Sequence, residues 1–197
     1  MRAFRFIFIF LFLSTTGVFA THNRAGEITY THISGYKYRI RVTTYTKVGG
    51  QITADRCELM VYFGDGDSAN VPRINGPQNN CNPFGDGVVI VPNDMKLNTY
   101  EIDHTYPGAG TFRITMYDPN RNSDVINIPN SVNMPFYLEA MLVINPFLGP
   151  NNSVIMTYPP IDDACIGKCF YHNPGAYDPD GQDSISYELG VCLGYNG

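Results

Sequence analysis

Hydrophobic and polar positions alternate with a period of two along most of the chain after residue 27, and the longer period of an amphipathic helix is hard to find. The alternation is clearest over residues 36–45, which place apolar and aromatic side chains on one face and mostly basic side chains on the other. The apolar face of this segment consists of Tyr36, Tyr38, Ile40 and Val42. Such a pattern predicts a β-strand that buries one face and exposes the other to solvent.

Further short strands are predicted wherever the same alternation or a short apolar run is bounded by turn residues. These strands cover residues 57–63, 88–91, 98–106, 111–117 and 134–144. The last of them would bury Phe136, Leu138, Ala140, Leu142 and Ile144. Segments rich in Gly, Pro, Asn and Asp separate the strands, and the longest such loop spans residues 71–87. Several short strands with frequent turns predict an all-β, immunoglobulin-like sandwich.

The pattern of short strands becomes sparse after residue 145. Residues 145–152 contain two prolines and a glycine, which is typical of a connection between two units. Beyond them only two short strands are predicted, at residues 154–157 and 185–189, and a second sandwich needs more strands than these. We therefore expect residues 21–145 to form one sandwich domain. Residues 146–197 would be a linker and the incomplete start of a second immunoglobulin-like or cadherin-like domain.

The first 20 residues have the layout of a cleavable secretory signal peptide. Arg2 and Arg5 give a positive start, residues 6–13 are apolar, and the segment ends in the small residue Ala20. The alternative is a membrane anchor, but the apolar core is far shorter than the roughly 20 residues that a spanning helix needs. We expect a mature protein that is secreted or held at the cell surface and has no transmembrane segment.

The charge balance of the chain argues against nucleic acid as a partner. Lys and Arg together number 13, Asp and Glu 18, and the net charge is −5. Removal of Arg2 and Arg5 with the leader would leave 11 basic against 18 acidic residues, a net charge of −7. Affinity for nucleic acid depends on basic residues that neutralise phosphates. With 16% charged and 13% aromatic residues, the chain is also too apolar to be disordered.

Export makes the five cysteines candidates for disulfide bonds. An odd number leaves one cysteine over, and two bridges among five cysteines can be drawn in 5 × 3 = 15 ways. Nearness along the chain favours a bridge between Cys57 and Cys81. A second bridge would join Cys192 to either Cys165 or Cys169.

The sharpest motif of the chain is divided between residues 61–68 and residues 104–118. The motif residues are Phe63, Gly64, Asp65 and Gly66 in the first segment and His104, Tyr106 and Gly110 in the second. We expect Phe63 to close a core strand and the glycines to form a tight turn in which Asp65 accepts backbone N–H groups. The histidine and the tyrosine would anchor strand pairing, and Gly110 would lead the chain into the next strand.

Together the two segments resemble the PKD domain, an immunoglobulin-like sandwich with an F-G-D-G turn and a later H-x-Y-x-x-x-G-x-Y/F strand entry. The resemblance covers roughly residues 57–120. The chain departs from the family in having no Trp before the turn and a longer loop between the two halves. The resemblance implies the sandwich fold and a role as an extracellular spacer or binding module, and it brings no catalytic residue.

Four flanking segments extend the resemblance. Residues 21–30, 118–133, 159–162 and 172–181, taken with the motif, resemble the N-terminal region of large Bacteroidota surface proteins of the gliding-motility-associated or type IX-secreted kind. Such proteins contain PKD-like repeats and end in a C-terminal sorting domain, which these 197 residues lack. The resemblance implies an N-terminal fragment of a longer surface protein.

Three acidic residues, Asp178, Asp180 and Asp183, lie within six positions of one another. With the residues that follow, they resemble the D-x-D-G-D-x-L-x-Y turn of cadherin-like and related immunoglobulin-like repeats, some of which bind calcium. Carboxylates suit this hard cation, so the resemblance implies calcium as a candidate ligand. Gln182 stands where the family often has Asp. The alternative is a hydrophilic turn that Asp side chains cap without an ion.

A fainter calcium candidate has oxygen-bearing side chains at alternate positions, namely Asp118, Asn120, Asn122 and Asp124. Ser123 replaces the glycine that a calcium loop needs for its sharp turn, and no glutamate ends the loop. The alternative is an Asx-rich turn that follows a core strand.

No catalytic constellation is recognisable, because the four histidines are scattered and lie outside nucleophile and metal motifs. We therefore expect a non-enzymatic, exported cell-surface module for adhesion or for use as a structural spacer. Its candidate partners are extracellular glycans or proteins, with calcium as a candidate stabiliser. The alternative is an accessory carbohydrate- or protein-binding module of a secreted hydrolase.

Overall fold

The computed structural model describes residues 23–48, 56–119, 121, 122, 125, 128–160, 164–181 and 183–190. Within these ranges the chain forms eight strands and one short 3₁₀ helix, Ser131–Asn133. The strands are β1 (Asn23–Ser34), β2 (Lys37–Lys47), β3 (Glu58–Tyr62), β4 (Ser68–Pro72), β5 (Val88–Val91), β6 (Met95–Thr105), β7 (Gly110–Asp118) and β8 (Phe136–Ile144).

The strands form two antiparallel sheets of four strands each. One sheet has the strand order β1-β2-β6-β5 and the other has the order β4-β3-β7-β8. The edge strands β1 and β8 of the two sheets lie against each other, and the Tyr30 hydroxyl donates a hydrogen bond to the Met141 carbonyl oxygen at 3.1 Å. The predicted all-β, immunoglobulin-like sandwich is confirmed.

The core fills the space between the two sheets with inward-facing side chains. Three side chains of β2 that were predicted to be in the core are at most 2% exposed, namely Tyr38, Ile40 and Val42. In the opposite sheet, the predicted core residue Leu142 is 0% exposed, as are Val61, Ile114 and Met116. Burial of each such apolar side chain contributes about 1.5–3 kcal/mol to stability. One predicted core position is wrong, because Tyr36 lies in the turn between β1 and β2, where it is 41% exposed.

Two strands of the sandwich are missing from the sequence-based prediction. β1 was not recognised because Ile28 is its only fully buried apolar residue and polar residues surround it. β4 was not recognised because it follows the Gly-rich turn directly and buries only Val71. Its last two residues fall within the segment that was predicted to be a loop, residues 71–87.

The described residues after β8 do not extend either sheet. The predicted strand at residues 154–157 is reduced to a single bridge between Ile155 and Tyr177, and residues 185–189 have no strand conformation. These two strand predictions are wrong, because within the part of the chain that the structure describes neither segment pairs with a further strand to form a ladder. The division of the chain into domains at residue 145 stays a prediction. No helix of the described ranges combines the length and the apolar character that crossing a membrane requires.

Candidate functional site

The residues of the two-part motif meet where β3 and β6 end. Phe63 stacks on the His104 ring with centroids 3.9 Å apart. His104 Nε2 lies 2.7 Å from Asp65 Oδ2, and these two side chains are only 12% and 6% exposed. Asp65 Oδ1 accepts the backbone N–H of Asp67 at 3.0 Å. Burial raises the pKa of the Asp65 carboxyl, but these hydrogen bonds outweigh it and hold the pKa below its ordinary value.

The remaining motif residues pack around the same pair of turns. Tyr106 lies edge-on to His104, its N–H donates to the Tyr36 carbonyl oxygen, and burial raises the pKa of its hydroxyl. Gly64 has φ +86°, and a Cβ atom there would lie 2.6 Å from the backbone N and O of Arg113. Gly110 is the first residue of β7. The contacts of Phe63, Asp65, His104 and Tyr106 therefore anchor the turn after β3 to the end of β6.

The disulfide predicted between Cys57 and Cys81 is confirmed. Beside it lies Arg73, which is 1% exposed and was not singled out from the sequence. Its guanidinium donates to Gly85 O at 2.6 Å, to Asn98 Oδ1 at 2.7 Å and to Cys81 Sγ at 2.8 Å. A buried arginine in a polar segment gives no sequence pattern that separates it from an exposed one, so only the structure reveals this loop anchor.

Two of the remaining cysteines lie within the described residues, and they form neither a bridge nor a metal site there. Cys165 and Cys169 are exposed and free. Their predicted partner, Cys192, lies outside the described residues, so a bridge to it stays a prediction.

The three carboxylates of the candidate calcium turn are engaged by N–H donors of the chain itself. Asp178 accepts the backbone N–H groups of Asp180 and Asp183 at 3.0 and 2.8 Å. Asp180 accepts both the backbone N–H and the side-chain amide of Asn152 at 2.6 Å, and Asp183 accepts the Asn151 side chain at 3.1 Å. Within the described ranges no group of three or more His, Cys, Asp or Glu side chains is arranged to hold a metal ion. Calcium binding at this turn stays a prediction.

The fainter calcium candidate is only partly described. Asp118 is 2% exposed and pairs with Arg56, whose Nε lies 3.0 Å from Asp118 Oδ2. Asn120, Ser123 and Asp124 lie outside the described residues, as do residues 1–20 with the predicted signal peptide. The Asp118 carboxylate therefore already has a cation at the point where the core strand β7 ends.

Residues 151–153 attach the C-terminal segment to the free edge of β1. The Ser153 N–H donates to the Tyr30 carbonyl oxygen at 3.0 Å, and Ser153 Oγ accepts the Tyr30 N–H at 2.8 Å. Asn152 Oδ1 accepts the His32 N–H at 2.7 Å. Because Asp180 holds Asn152 from the other side, the acidic turn acts as a latch that keeps this segment on the sheet edge.

The outer face of β1, β2 and β6 carries a groove that the sequence analysis did not identify. Strand register places its side chains in rows across the sheet: Thr31 with Arg39, Thr29 with Arg41 and Glu101, and Glu27 with Thr43 and Thr99. Residues 153–156 of the attached segment form its wall beside β1, and the volume is about 290 Å³. We call this cavity the ladder groove.

Ion pairs order the floor of the ladder groove. Arg41 Nη2 donates to Glu101 Oε2 at 2.6 Å, and Arg39 Nε donates to Asp103 Oδ1 at 2.8 Å. Hydrogen bonds from Arg39 and Lys37 lower the pKa of Asp103 to about 2, so this carboxylate is charged at neutral pH. The two arginine side chains are 45% and 52% exposed, which leaves guanidinium surface directed at the groove.

A second cavity continues the ladder groove on its far side. Its volume is about 260 Å³, and Glu27, Tyr45 and Met156 line both cavities. The other walls of this second cavity, which we call the apolar pocket, include Tyr158, Pro160, His172 and Pro174. Burial raises the pKa of Glu27 and outweighs a hydrogen bond from the Met156 backbone that lowers it.

The ladder groove combines chemical groups that suit a ligand with many hydroxyl groups. Arginines donate hydrogen bonds, carboxylates accept them, and threonine hydroxyls do both. Tyrosine rings at the groove add apolar surface against which a ring can pack. A concave site with a few convergent polar groups is the usual form of a small-ligand site.

Comparison with known proteins identifies no relative. No family model matches the chain, no curated protein matches it, and no solved structure matches it. The PKD resemblance therefore depends on the motif residues alone.

Proposed function

We propose that the chain is a non-enzymatic, exported cell-surface module that binds a glycan in the ladder groove. The observation that carries this proposal is the row pattern of Thr, Arg and Glu side chains on the floor of a concave, solvent-facing cavity. Sugar hydroxyls are both donors and acceptors, so they pair with alternating cationic donors, carboxylate acceptors and hydroxyls. Adhesion to glycans would follow from this binding.

Two features support export. Disulfides persist in oxidising compartments, and Cys57 is bonded to Cys81. The first 20 residues have the layout of a secretory signal peptide. We also propose that the chain is located at the cell surface and is related to PKD-containing proteins of the gliding-motility kind. The turn motif that joins Phe63, Asp65 and His104 supports this relationship.

The attached C-terminal segment supports the choice of this face over the rest of the surface. Ser153, Ile155 and Met156 form a wall beside the sheet, which gives a ligand contacts from two directions. The latch of Asn152 and Asp180 would fix that wall before the ligand arrives, and preorganised sites bind with a lower entropic cost.

A glycan array probed with the full chain and with two matched variants tests the proposal. Arg41→Ala removes a groove guanidinium whose side chain is 52% exposed and paired with Glu101. Arg113→Ala is the control, because Arg113 is 54% exposed and paired with Glu139 on the opposite sheet. A hydrogen bond to a charged group is worth about 1.5–3 kcal/mol, so we expect affinity for the selected glycan to fall about tenfold or more in Arg41→Ala.

The control variant should bind the selected glycan as the unmodified chain does. Absence of selective binding by the unmodified chain, or equal losses in the two variants, would contradict the assignment of the groove.

A further inference from the structure

Glu27 differs from Glu101, which also lines the ladder groove, in having no cationic partner among the described residues. Glu101 is paired with Arg41, and Asp103 with Arg39. Within the described residues no Lys, Arg or His forms an ion pair with Glu27, which is half-buried between the two cavities. A carboxylate that is removed from water without a cation is costly in its charged form.

The apolar pocket beside Glu27 is enclosed mainly by rings and apolar side chains. Tyr45 and Tyr158 contribute aromatic rings, and the prolines and Met156 contribute aliphatic surface. Besides Glu27 and these two tyrosines, the wall carries the imidazole of His172. An ammonium group is attracted to the faces of aromatic rings and to a carboxylate at the same time.

We propose that the apolar pocket binds an ammonium group carried by the glycan, with Glu27 as its counter-ion, so that the ligand is an oligosaccharide of amino sugars with free amines. The sugar rings would extend from there along the ladder groove, where Thr29, Thr43 and Arg41 meet their hydroxyls. This inference rests on the proposed function, because it assigns the identity of one substituent on the glycan.

Charge complementarity favours this occupant over a neutral substituent. The groove arginines are already neutralised by Glu101 and Asp103, so Glu27 is the carboxylate left for a ligand cation. The raised pKa of Glu27 is consistent with a carboxylate that is open to a ligand cation, because its charged form has no compensating cation nearby. A ligand ammonium would favour the charged form and lower that pKa.

Three tetrasaccharides with the same β-1,4 backbone test the proposal by calorimetric titration of the full chain. Chitosan tetraose carries free amines, chitin tetraose carries N-acetyl groups, and cellotetraose carries hydroxyls only. We expect chitosan tetraose to bind at least tenfold more tightly than the two neutral ligands. Glu27→Gln should abolish that preference, so that the variant binds chitosan tetraose no more tightly than the two neutral ligands. Glu58→Gln, a change of an exposed carboxylate on the opposite sheet, should have no effect.

The outcomes separate this inference from the proposed function. Equal binding of all three ligands, or a chitosan preference that survives Glu27→Gln, would overturn the ammonium site while the glycan groove stands. Binding of none of them, together with no selective binding on the glycan array, would overturn the proposed function. Tight binding of tetralysine in the absence of any oligosaccharide binding would assign the pocket to a protein ligand and overturn the glycan assignment.

A second readout covers the case in which Glu27→Gln fails to fold. The Glu27 side-chain carboxyl carbon can be titrated by NMR in the unmodified chain, with His172, Tyr45, Tyr158 and the Met156 N–H as the groups around it. Chitosan tetraose should lower the pKa of Glu27, whereas cellotetraose should not. An unchanged pKa at saturation with chitosan tetraose would refute the ion pair.

Discussion

At the scale of single residues, Asp65 and His104 join the turn after β3 to the end of β6. Both side chains are nearly buried, and the carboxylate is satisfied by the imidazole N–H and by a backbone N–H of its own turn. A hydrogen-bonded charge in this position stabilises the fold, whereas the same charge without its donors would be costly. The pair therefore links folding stability to pH.

We expect Asp65→Asn to lower the free energy of unfolding by about 1–3 kcal/mol at neutral pH, because a hydrogen-bonded charge is lost. The folded pKa of Asp65 is depressed, so its contribution is fully present above the unfolded pKa of about 3.9 and is lost as pH falls through the folded pKa. Urea unfolding over a pH series measures both effects.

The matched control for this substitution is Asp67→Asn in the same turn. The Asp67 carboxylate is exposed, and among the described residues it accepts only the N–H of the next residue, Ser68. We expect a smaller loss of stability there. Equal losses in the two variants, or a loss in Asp65→Asn that persists unchanged in acid, would contradict the role given to the Asp65–His104 pair.

Two glycines of the same turn offer a matched pair of substitutions. Both have positive φ, which costs an alanine about 1–2 kcal/mol. A Cβ atom at Gly66 would meet open space, but one at Gly64 would lie 2.6 Å from the Arg113 backbone. We expect Gly64→Ala to lower the free energy of unfolding by clearly more than Gly66→Ala in urea denaturation. Equal losses of unfolding free energy in the two variants would show that Gly64 is not packed closely against the backbone of β7.

At the scale of elements, the free edge of β1 is covered by the C-terminal segment. A bare edge strand is a template for unwanted pairing, and natural sheets cover or blunt such edges. Here Asn152 and Ser153 satisfy the backbone groups of Tyr30 and His32, while Asp180 grips Asn152. The same segment forms a wall of the ladder groove, so the latch connects edge protection to the binding site.

We expect Asp180→Ala to release this segment from β1. The backbone N–H groups of Tyr30 and His32 would then lose their partners, and hydrogen exchange at both positions should become faster by about an order of magnitude. Glu188→Ala, which changes an exposed carboxylate of the same segment, is the control. Unchanged exchange in Asp180→Ala would mean that Asp180 does not hold the segment in place.

Alternation along the chain predicted the strands whose inner faces are rich in apolar residues, and it failed where they are not. β2 and β8 were predicted because large apolar side chains recur at every second position. β1 has too few apolar side chains for that pattern. The ladder groove was not predicted because its Thr, Arg and Glu residues have the pattern of a solvated face. Their convergence depends on the register of the consecutive strands β1 and β2 with β6, which is distant from both in the sequence.

At the scale of the whole molecule, the two sheets present different outer faces. The face of β1, β2 and β6 is charged, rich in hydroxyls and concave. The opposite face carries aromatic side chains that pack on one another, with the rings of Tyr62 and Tyr117 stacked at 6.1 Å. A ligand rich in hydroxyl groups is complementary to the first face. Because the two faces differ, the face on which a ligand binds tests whether the ladder groove is the binding site.

The most direct test is to map the chemical-shift changes of the backbone amides while the glycan selected on the array is titrated into the isotope-labelled chain. We expect saturating changes at Thr29, Arg41, Thr43 and Glu101, which line the ladder groove, and none at Tyr62, Arg113 and Tyr117. Changes confined to the opposite sheet would contradict the assignment of the binding site to the ladder groove.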